Sequence, residues 1–234
     1  PMHWENDWPV IGVNEVDGCG EPVLHYKKPE VGAAYPIDTP EDSDFFEGDR
    51  LGLQWQWNAN YKKEWYELKD GQLLLHAQAV DPKTQLCDIS NLLLQKWPAP
   101  EFAITTCLHL EQMKDGDVAG LVSLGGCYTA LAVQKIHGKM SLQQRTGNWT
   151  KDDEVRTDLG EWNSDVIYMQ MKVEKETYRT FYVGTTEENL QPVGQMVEAT
   201  PGRWVGVKDG LFAINEQGAA GGSVAVDYFA YQEL

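Results

Sequence analysis

Hydrophobic and polar residues alternate along the stretch from Asp44 to Asn58, DFFEGDRLGLQWQWN. After an acidic turn, the hydrophobic positions of this alternation are Leu51, Leu53, Trp55 and Trp57. A period of two is typical of a half-buried β-strand and not of a helix. Because one tryptophan buries roughly 150–250 Å², we predict a strand whose leucine and tryptophan face packs into the core against a second layer.

The rest of the chain after this stretch reads as one short strand after another. Segments with strand-like composition lie at 65–68, 72–77, 91–96, 102–110, 119–124, 128–136, 139–145, 166–173, 178–184, 204–213 and 223–231. A polar stretch up to Gln195 is not assigned to a strand. No segment shows convincing helical periodicity, and about eleven to fourteen short strands separated by turns predict an all-β fold, a two-sheet antiparallel β-sandwich.

The first 35 residues have a different pattern. Short apolar pieces are broken by Gly, Pro and Asp, which predicts a strand, a turn and a second strand, followed by a proline-containing tether through Pro36 and Pro40. The predicted division is therefore residues 1–40 and residues 41–234. Whether the first segment is part of another domain or an arm packed on the sandwich stays open on pattern alone.

Composition and charge narrow the possible partners. The 234 residues include 42% hydrophobic residues, enough for a core, and carry a net charge of −17. This charge repels phosphate backbones and anionic membranes, so we expect neither a nucleic acid nor a membrane partner, whereas a neutral polysaccharide is compatible. No apolar run approaches the ~20 residues of a membrane-spanning helix.

The four cysteines do not form a C-x-x-C pattern. They are Cys19, Cys87, Cys107 and Cys127. We interpret them as buried free thiols, with a disulfide framework as the alternative.

Motifs of catalysis are missing from the sequence. Glucanases that share a sandwich fold place two carboxylates on one strand face as Glu-x-Asp-x-x-Glu. The nearest approach, Glu5-Asn6-Asp7, has Val10 at the position of the second glutamate. There is also no G-x-S-x-G elbow and no phosphate-binding glycine loop. We therefore assign no catalytic residue.

Three stretches together resemble the C-terminal domain of glycoside hydrolase family 43, the β-xylosidase and α-L-arabinofuranosidase family. They are the stretch 44–58, the hairpin WYELKDGQLLLHA at 65–77 and the run MKDGDVAGL at 113–121. The resemblance covers residues 44–231 and implies a concanavalin A-like jelly roll. HWENDWPVIG, at residues 3–12, resembles the end of the last blade of the family's five-bladed catalytic propeller. Residues 1–40 are thereby identified as a remnant of that blade plus a linker.

The resemblance also implies a function. The parent protein would hydrolyse β-xylosidic or α-L-arabinofuranosidic bonds of xylan- or arabinan-type hemicellulose with inversion, using carboxylates on the propeller. This chain would be a non-catalytic domain that docks on the propeller of the same parent chain and helps to shape its sugar pocket. The alternative is an independent carbohydrate-binding module for xylan-type polysaccharide. An extracellular or periplasmic location is favoured, and a cytoplasmic one stays open.

Two candidate sites follow from the same resemblance. In family members a loop before a late strand helps to close the sugar pocket, and here that loop contains Arg203 as a hydrogen-bond donor and Trp204 as a stacking face. The alternative is that Trp204 begins a core strand. Jelly-roll sugar modules often join their first and last strands through Ca²⁺, which suggests Asp44 and Asp227 as calcium ligands. Further oxygens would come from Asp42, Glu47 and Asp49. The alternative is that Asp44 caps a turn and Asp227 makes a structural hydrogen bond.

Overall fold

The computed structural model describes residues 1–13, 20–36, 39–150, 154–175 and 177–234. The chain divides into two units, Pro1–Thr39 and Pro40–Leu234. Within the described residues, no helix is long and apolar enough to cross a membrane. The assignment of the first unit to a propeller blade stays a prediction.

The first unit contains one β-hairpin. β1 (Met2–Glu5) pairs antiparallel with β2 (Trp8–Ile11). The two turn residues, Asn6 and Asp7, have φ values of 49° and 65°, as a tight hairpin turn requires. The hairpin leaves large apolar side chains in solvent: Trp4, Trp8 and Ile11 are 66%, 77% and 74% exposed. A two-stranded hairpin has no second layer on which to bury such side chains.

The second unit is built from short strands. The fifteen strands within its described residues are β3 (Gln56–Trp57), β4 (Tyr66–Lys69), β5 (Gln72–His76), β6 (Gln78–Ala79), β7 (Leu93–Lys96), β8 (Phe102–His109), β9 (Asp117–Leu124), β10 (Cys127–Ile136), β11 (Lys139–Asn148), β12 (Val155–Trp162), β13 (Val166–Glu174), β14 (Tyr178–Gly184), β15 (Gln191–Glu198), β16 (Lys208–Asn215) and β17 (Ser223–Glu233). Three short 3₁₀ helices lie at Lys63–Trp65, Leu86–Asp88 and Glu187–Asn189.

These strands form two sheets. One sheet has the order β12-β11-β10-β9-β16-β7-β3, with β6 beside β16, and the other has the order β15-β14-β13-β8-β17-β5-β4. Apart from the short parallel pairing of β6 with β16, the pairings in both sheets are antiparallel. The predicted two-sheet antiparallel sandwich is confirmed.

The main core lies between the sheets and follows from the alternation along each strand. On β8 every second residue, Phe102, Ile104 and Leu108 among them, faces this core. A second apolar cluster covers the other face of the β9–β10–β16 sheet. There the segment that includes Leu86 and Leu92 lies over strand residues such as Phe212. Three cysteines, Cys87, Cys107 and Cys127, are free thiols, and Cys19 lies outside the described residues.

The long strand predicted for residues 51–58 is wrong. Only Gln56–Trp57 is a strand, because the Trp55 amide donates to the Gly52 carbonyl (3.2 Å) and turns the chain at Leu53. Leu53 is consequently fully exposed. Trp55 is buried as predicted, with its ring edge against Phe229. The backbone conformation here is therefore set by a local turn and not by the alternation of apolar and polar residues.

Three further strand assignments differ from the prediction. β12 and β15 were not predicted, since their side chains are mostly exposed and show no apolar alternation. Both are the outermost strands of their sheets. The strand predicted from Trp204 begins at Lys208, because residues 202–206 form a turn.

Candidate functional site

The loop between β15 and β16 presents Arg203 and Trp204 at its tip. The Gly202 amide donates to the Gly206 carbonyl (2.7 Å), so the chain reverses over the three intervening residues. Trp204 has φ of 73° and is 91% exposed, and the Arg203 guanidinium carbon lies 5.9 Å from the centre of its ring. The alternative in which Trp204 begins a core strand is therefore wrong.

The base of this loop is fixed to the sheet by Thr200. Its hydroxyl accepts a hydrogen bond from the Cys127 amide (2.7 Å), and its carbonyl accepts one from the Gly126 amide (2.7 Å). On the far side of the loop the Trp97 amide donates to the Val207 carbonyl (3.3 Å). Hydrogen bonds thus hold both ends of the loop, whereas its tip is exposed.

A buried polar cluster lies beneath the loop base and is centred on Arg179. The fully buried guanidinium donates to the Glu198 carbonyl (3.0 Å), the Ser123 carbonyl (3.1 Å) and the Cys127 sulfur (3.1 Å). Burial lowers the pKa of Arg179. Burial raises the pKa of the Cys127 thiol, but the hydrogen bond with Thr200 and the charge of Arg179 outweigh it, so the net pKa of Cys127 is lowered.

Asp209 is the acidic member of this cluster. It lies on β16 opposite Ser123 and is 1% exposed. Neither carboxyl oxygen accepts a hydrogen bond of good geometry, although Ser123 and Trp97 lie close enough to favour the charged form. Burial dominates and raises the pKa of Asp209 to about 7.

Asp44, proposed above as a calcium ligand, caps a turn. Its carboxylate accepts hydrogen bonds from the Phe46 amide (2.8 Å) and the Trp55 indole (2.8 Å). Its backbone amide donates to the Phe229 carbonyl on β17, and its carbonyl accepts a hydrogen bond from the Phe229 amide. The first turn of the sandwich is thereby joined to the last strand by hydrogen bonds. Calcium at this position stays a prediction.

Asp227, the second predicted calcium ligand, has different neighbours. It accepts a hydrogen bond from the Gln72 side chain (2.6 Å), and its Oδ2 lies 2.9 Å from His109 Nε2. Burial raises the pKa of this carboxyl, but the hydrogen bonds with Gln72 and His109 outweigh it, so the pKa is lowered.

Among the described histidine, cysteine and acidic residues, the group placed to share one metal ion is Cys107, His109 and Asp227. Asp44 is not a member of this group. Cys107 and His109 are not among the ligands predicted from the sequence, although their i, i+2 spacing on a predicted strand indicates that two donors share one face.

Nearly all of the second unit corresponds to one family model. Residues 43–232 match the model described as the β-xylosidase C-terminal concanavalin A-like domain. The chain belongs to this family. The predicted resemblance to the C-terminal domain of family 43 glycosidases is thus confirmed.

Relatives of this C-terminal domain family carry it within longer chains. A β-xylosidase of Formosa agariphila is 30% identical over 260 residues, which cover 99% of this chain and 41% of that protein. A bifunctional GH43-CE protein of Bacteroides eggerthii matches in structure with a TM-score of 0.73 and 25% identity, covering 100% of this chain and 30% of its own. The chain therefore spans less than half the length of these relatives.

A third match shows the same fold at lower identity. The xylan β-1,4-xylosidase from Bacillus halodurans C-125 has a TM-score of 0.70 and 20% identity, covering 99% of this chain and 46% of its own. The match in fold therefore extends beyond residues 43–232 of this chain.

Proposed function

We propose that this chain acts as the non-catalytic C-terminal domain of a family 43 glycosidase and that its Trp204 loop helps to shape the sugar pocket of a catalytic propeller. The parent enzyme would hydrolyse xylosidic or arabinofuranosidic bonds of hemicellulose. The relative from Formosa agariphila is named a β-xylosidase, which supports the choice of reaction.

The proposal rests on the exposure and the backbone conformation of Trp204. A tryptophan that is 91% exposed leaves a large apolar ring in water, where it contributes nothing to the stability of the sandwich. Its positive φ adds a cost of about 1–2 kcal/mol for a residue with a side chain. An aromatic ring held in this way offers a flat face for a sugar, and Arg203 beside it offers hydrogen-bond donors.

The first unit supports a propeller as the partner. Trp4, Trp8 and Ile11 of the hairpin remain largely exposed, as expected of a fragment of a larger β-structure that buries them elsewhere. The alignment with the β-xylosidase of Formosa agariphila extends over 99% of this chain, so it includes this hairpin.

The test is the kinetics of Trp204 variants in the polypeptide that joins this chain to its catalytic domain. We expect Trp204→Ala to lower kcat/KM on an aryl β-xyloside or arabinofuranoside by about 10- to 100-fold, while Trp204→Phe retains most activity because it keeps a ring. Leu53→Ala, which removes another fully exposed apolar side chain, is the matched control and should leave kcat/KM unchanged. Equal activity of the Trp204→Ala variant and the parent would refute the proposal.

A titration of this chain alone with xylo-oligosaccharides separates the two predicted functions. A domain that only completes a pocket on the propeller should give no saturable heat. Saturable binding that is lost in Trp204→Ala would instead favour the independent carbohydrate-binding module.

A further inference from the structure

Cys107 and His109 lie side by side on the outer face of the β8–β17 sheet. They are two residues apart on β8, and Leu108 between them points into the core. Because side chains alternate along a strand, the cysteine and the histidine project from the same face. His109 pairs in register with Ala225 of β17, so the neighbouring strand brings its own outward side chains beside them.

A β-bulge in β17 supplies the third group. Val226 lies opposite Leu108 and Phe229 lies opposite Thr106, so Asp227 and Tyr228 together oppose the single residue Cys107. Val226 and Phe229 both face the core. The extra residue therefore lets two consecutive side chains, Asp227 and Tyr228, leave the core, and such bulges commonly redirect a side chain at functional positions.

We propose that Cys107, His109 and Asp227 form a binding site for a divalent transition-metal ion, with Zn²⁺ as the best match. Their ligand atoms all lie within 4.8 Å of one another, with His109 Nε2 2.9 Å from Asp227 Oδ2. A tetrahedral zinc ion has ligand bonds of about 2.0–2.3 Å, so small side-chain movements bring all three atoms into its shell.

The donor types distinguish this site from a calcium site. A thiolate and an imidazole are preferred by zinc and its neighbours, whereas Ca²⁺ takes six to eight oxygen ligands. The His109 and Asp227 side chains are 30% and 35% exposed, so an ion reaches them from solvent and keeps a position for a water molecule. Cys107 itself is 1% exposed, which disfavours a role as a nucleophile toward a substrate.

Neighbouring side chains hold the proposed ligands in place. The Gln72 amide donates to Asp227 Oδ1 at 2.6 Å and fixes the orientation of the carboxylate. Tyr168 lies close enough to Cys107 to interact with its thiol. The Tyr228 hydroxyl donates to Glu187 (3.0 Å), which places a further carboxylate close enough to interact with the thiol. Supporting hydrogen bonds of this kind are typical of protein metal sites.

Binding would exchange a proton for the metal ion. A cysteine binds a metal ion as its thiolate, so formation of the sulfur–metal bond at Cys107 would release the thiol proton to solvent.

Titration of the metal-free chain with Co²⁺ and Zn²⁺ tests the proposal. We expect one equivalent of Co²⁺ to give a thiolate-to-cobalt charge-transfer band, which Zn²⁺ then abolishes. Cys107→Ser should remove the band, and both Cys107→Ser and His109→Gln should weaken Zn²⁺ binding by at least about 100-fold. Gln72→Leu, which removes only the support of Asp227, should weaken it by about 10-fold.

Matched controls assign the band to this site. Cys127→Ser and Cys19→Ser remove other thiols and should leave band and affinity unchanged, and circular dichroism checks that each variant is folded. His109 is partly exposed, so its substitution tests the site without opening the core. The proposal is overturned if the parent shows no saturable Zn²⁺ binding, if the band persists in Cys107→Ser, or if Ca²⁺ displaces Co²⁺ as readily as Zn²⁺ does.

Discussion

Asp209 makes the stability of the sandwich depend on pH in a predictable direction. Its carboxyl group is buried between the sheets without a well-formed hydrogen bond, and burial raises its pKa from 3.8 to about 7. Between these two values the native state holds a proton that the unfolded state has lost. Unfolding releases that proton, so the contribution of Asp209 to the free energy of unfolding falls as pH rises through this window.

The size of the effect follows from the two pKa values. The difference between the two pKa values corresponds to a contribution of about 4 kcal/mol to the free energy of unfolding. About 3 kcal/mol of this contribution is lost between pH 5 and pH 8. Asp209→Asn keeps the shape of the side chain but has no charge to bury. The variant should therefore become more stable relative to the parent by about 3 kcal/mol over this range, or roughly 6–12 °C in Tm for a domain of this size.

Thermal and urea unfolding of the parent and of Asp209→Asn at several pH values would measure this difference. Other titrating groups affect both proteins alike and cancel in the comparison. Ser123→Ala is the control: it keeps the carboxyl group, so the loss of stability with rising pH should persist and become somewhat larger, because Ser123 favours the charged form. A difference that is flat with pH would refute the reasoning. A difference that shrinks as pH rises would mean that Arg179 stabilises a charged Asp209.

Two further substitutions test contacts in the sandwich, both by urea unfolding at fixed pH. Trp55→Phe removes the indole hydrogen bond to Asp44 (2.8 Å) and should lower the free energy of unfolding by about 1–3 kcal/mol; no change would show that this cap does not stabilise the fold. Gly210→Ala places a Cβ 1.8 Å from the Leu93 carbonyl oxygen and should cost at least about 2 kcal/mol. Gly48→Ala, whose Cβ meets only ordinary contacts, should be nearly neutral, and equal effects of the two glycine substitutions would contradict this account.

The parts of the fold that the sequence predicts are those in which one face of a strand is buried. β13 alternates strictly between core and outer positions. The predicted strand, 166–173, begins at the observed start and ends one residue before the observed end at Glu174. β12 and β15 are sheet edges with little burial, so no hydrophobic period marks them. Leu53 was misplaced because a hydrogen bond between Trp55 and Gly52 turns the chain, and hydropathy contains no information about that bond.

The candidate sites were predictable to a different extent. Similarity to a family pointed to Arg203 and Trp204, but the exposure of Trp204 depends on the Gly202–Gly206 bridge, which only the three-dimensional structure reveals. The pairing of Cys107 with Asp227 depends on a bulge between strands that are more than 100 residues apart in sequence. Spacing within one strand could suggest two of these ligands but not the third.

The bulge in β17 also has a consequence for how family members should vary in length. Removal of Tyr228 would leave Val226 and Phe229 facing the core, because the regular alternation would then place one outward residue between them. The core thus tolerates a strand that is one residue shorter, and the change is confined to the outer face, where one side chain replaces two. Among homologous domains with the shorter strand, we expect the Cys-x-His pair on β8 to be absent wherever that single outward residue is not an aspartate, because the third ligand is then missing.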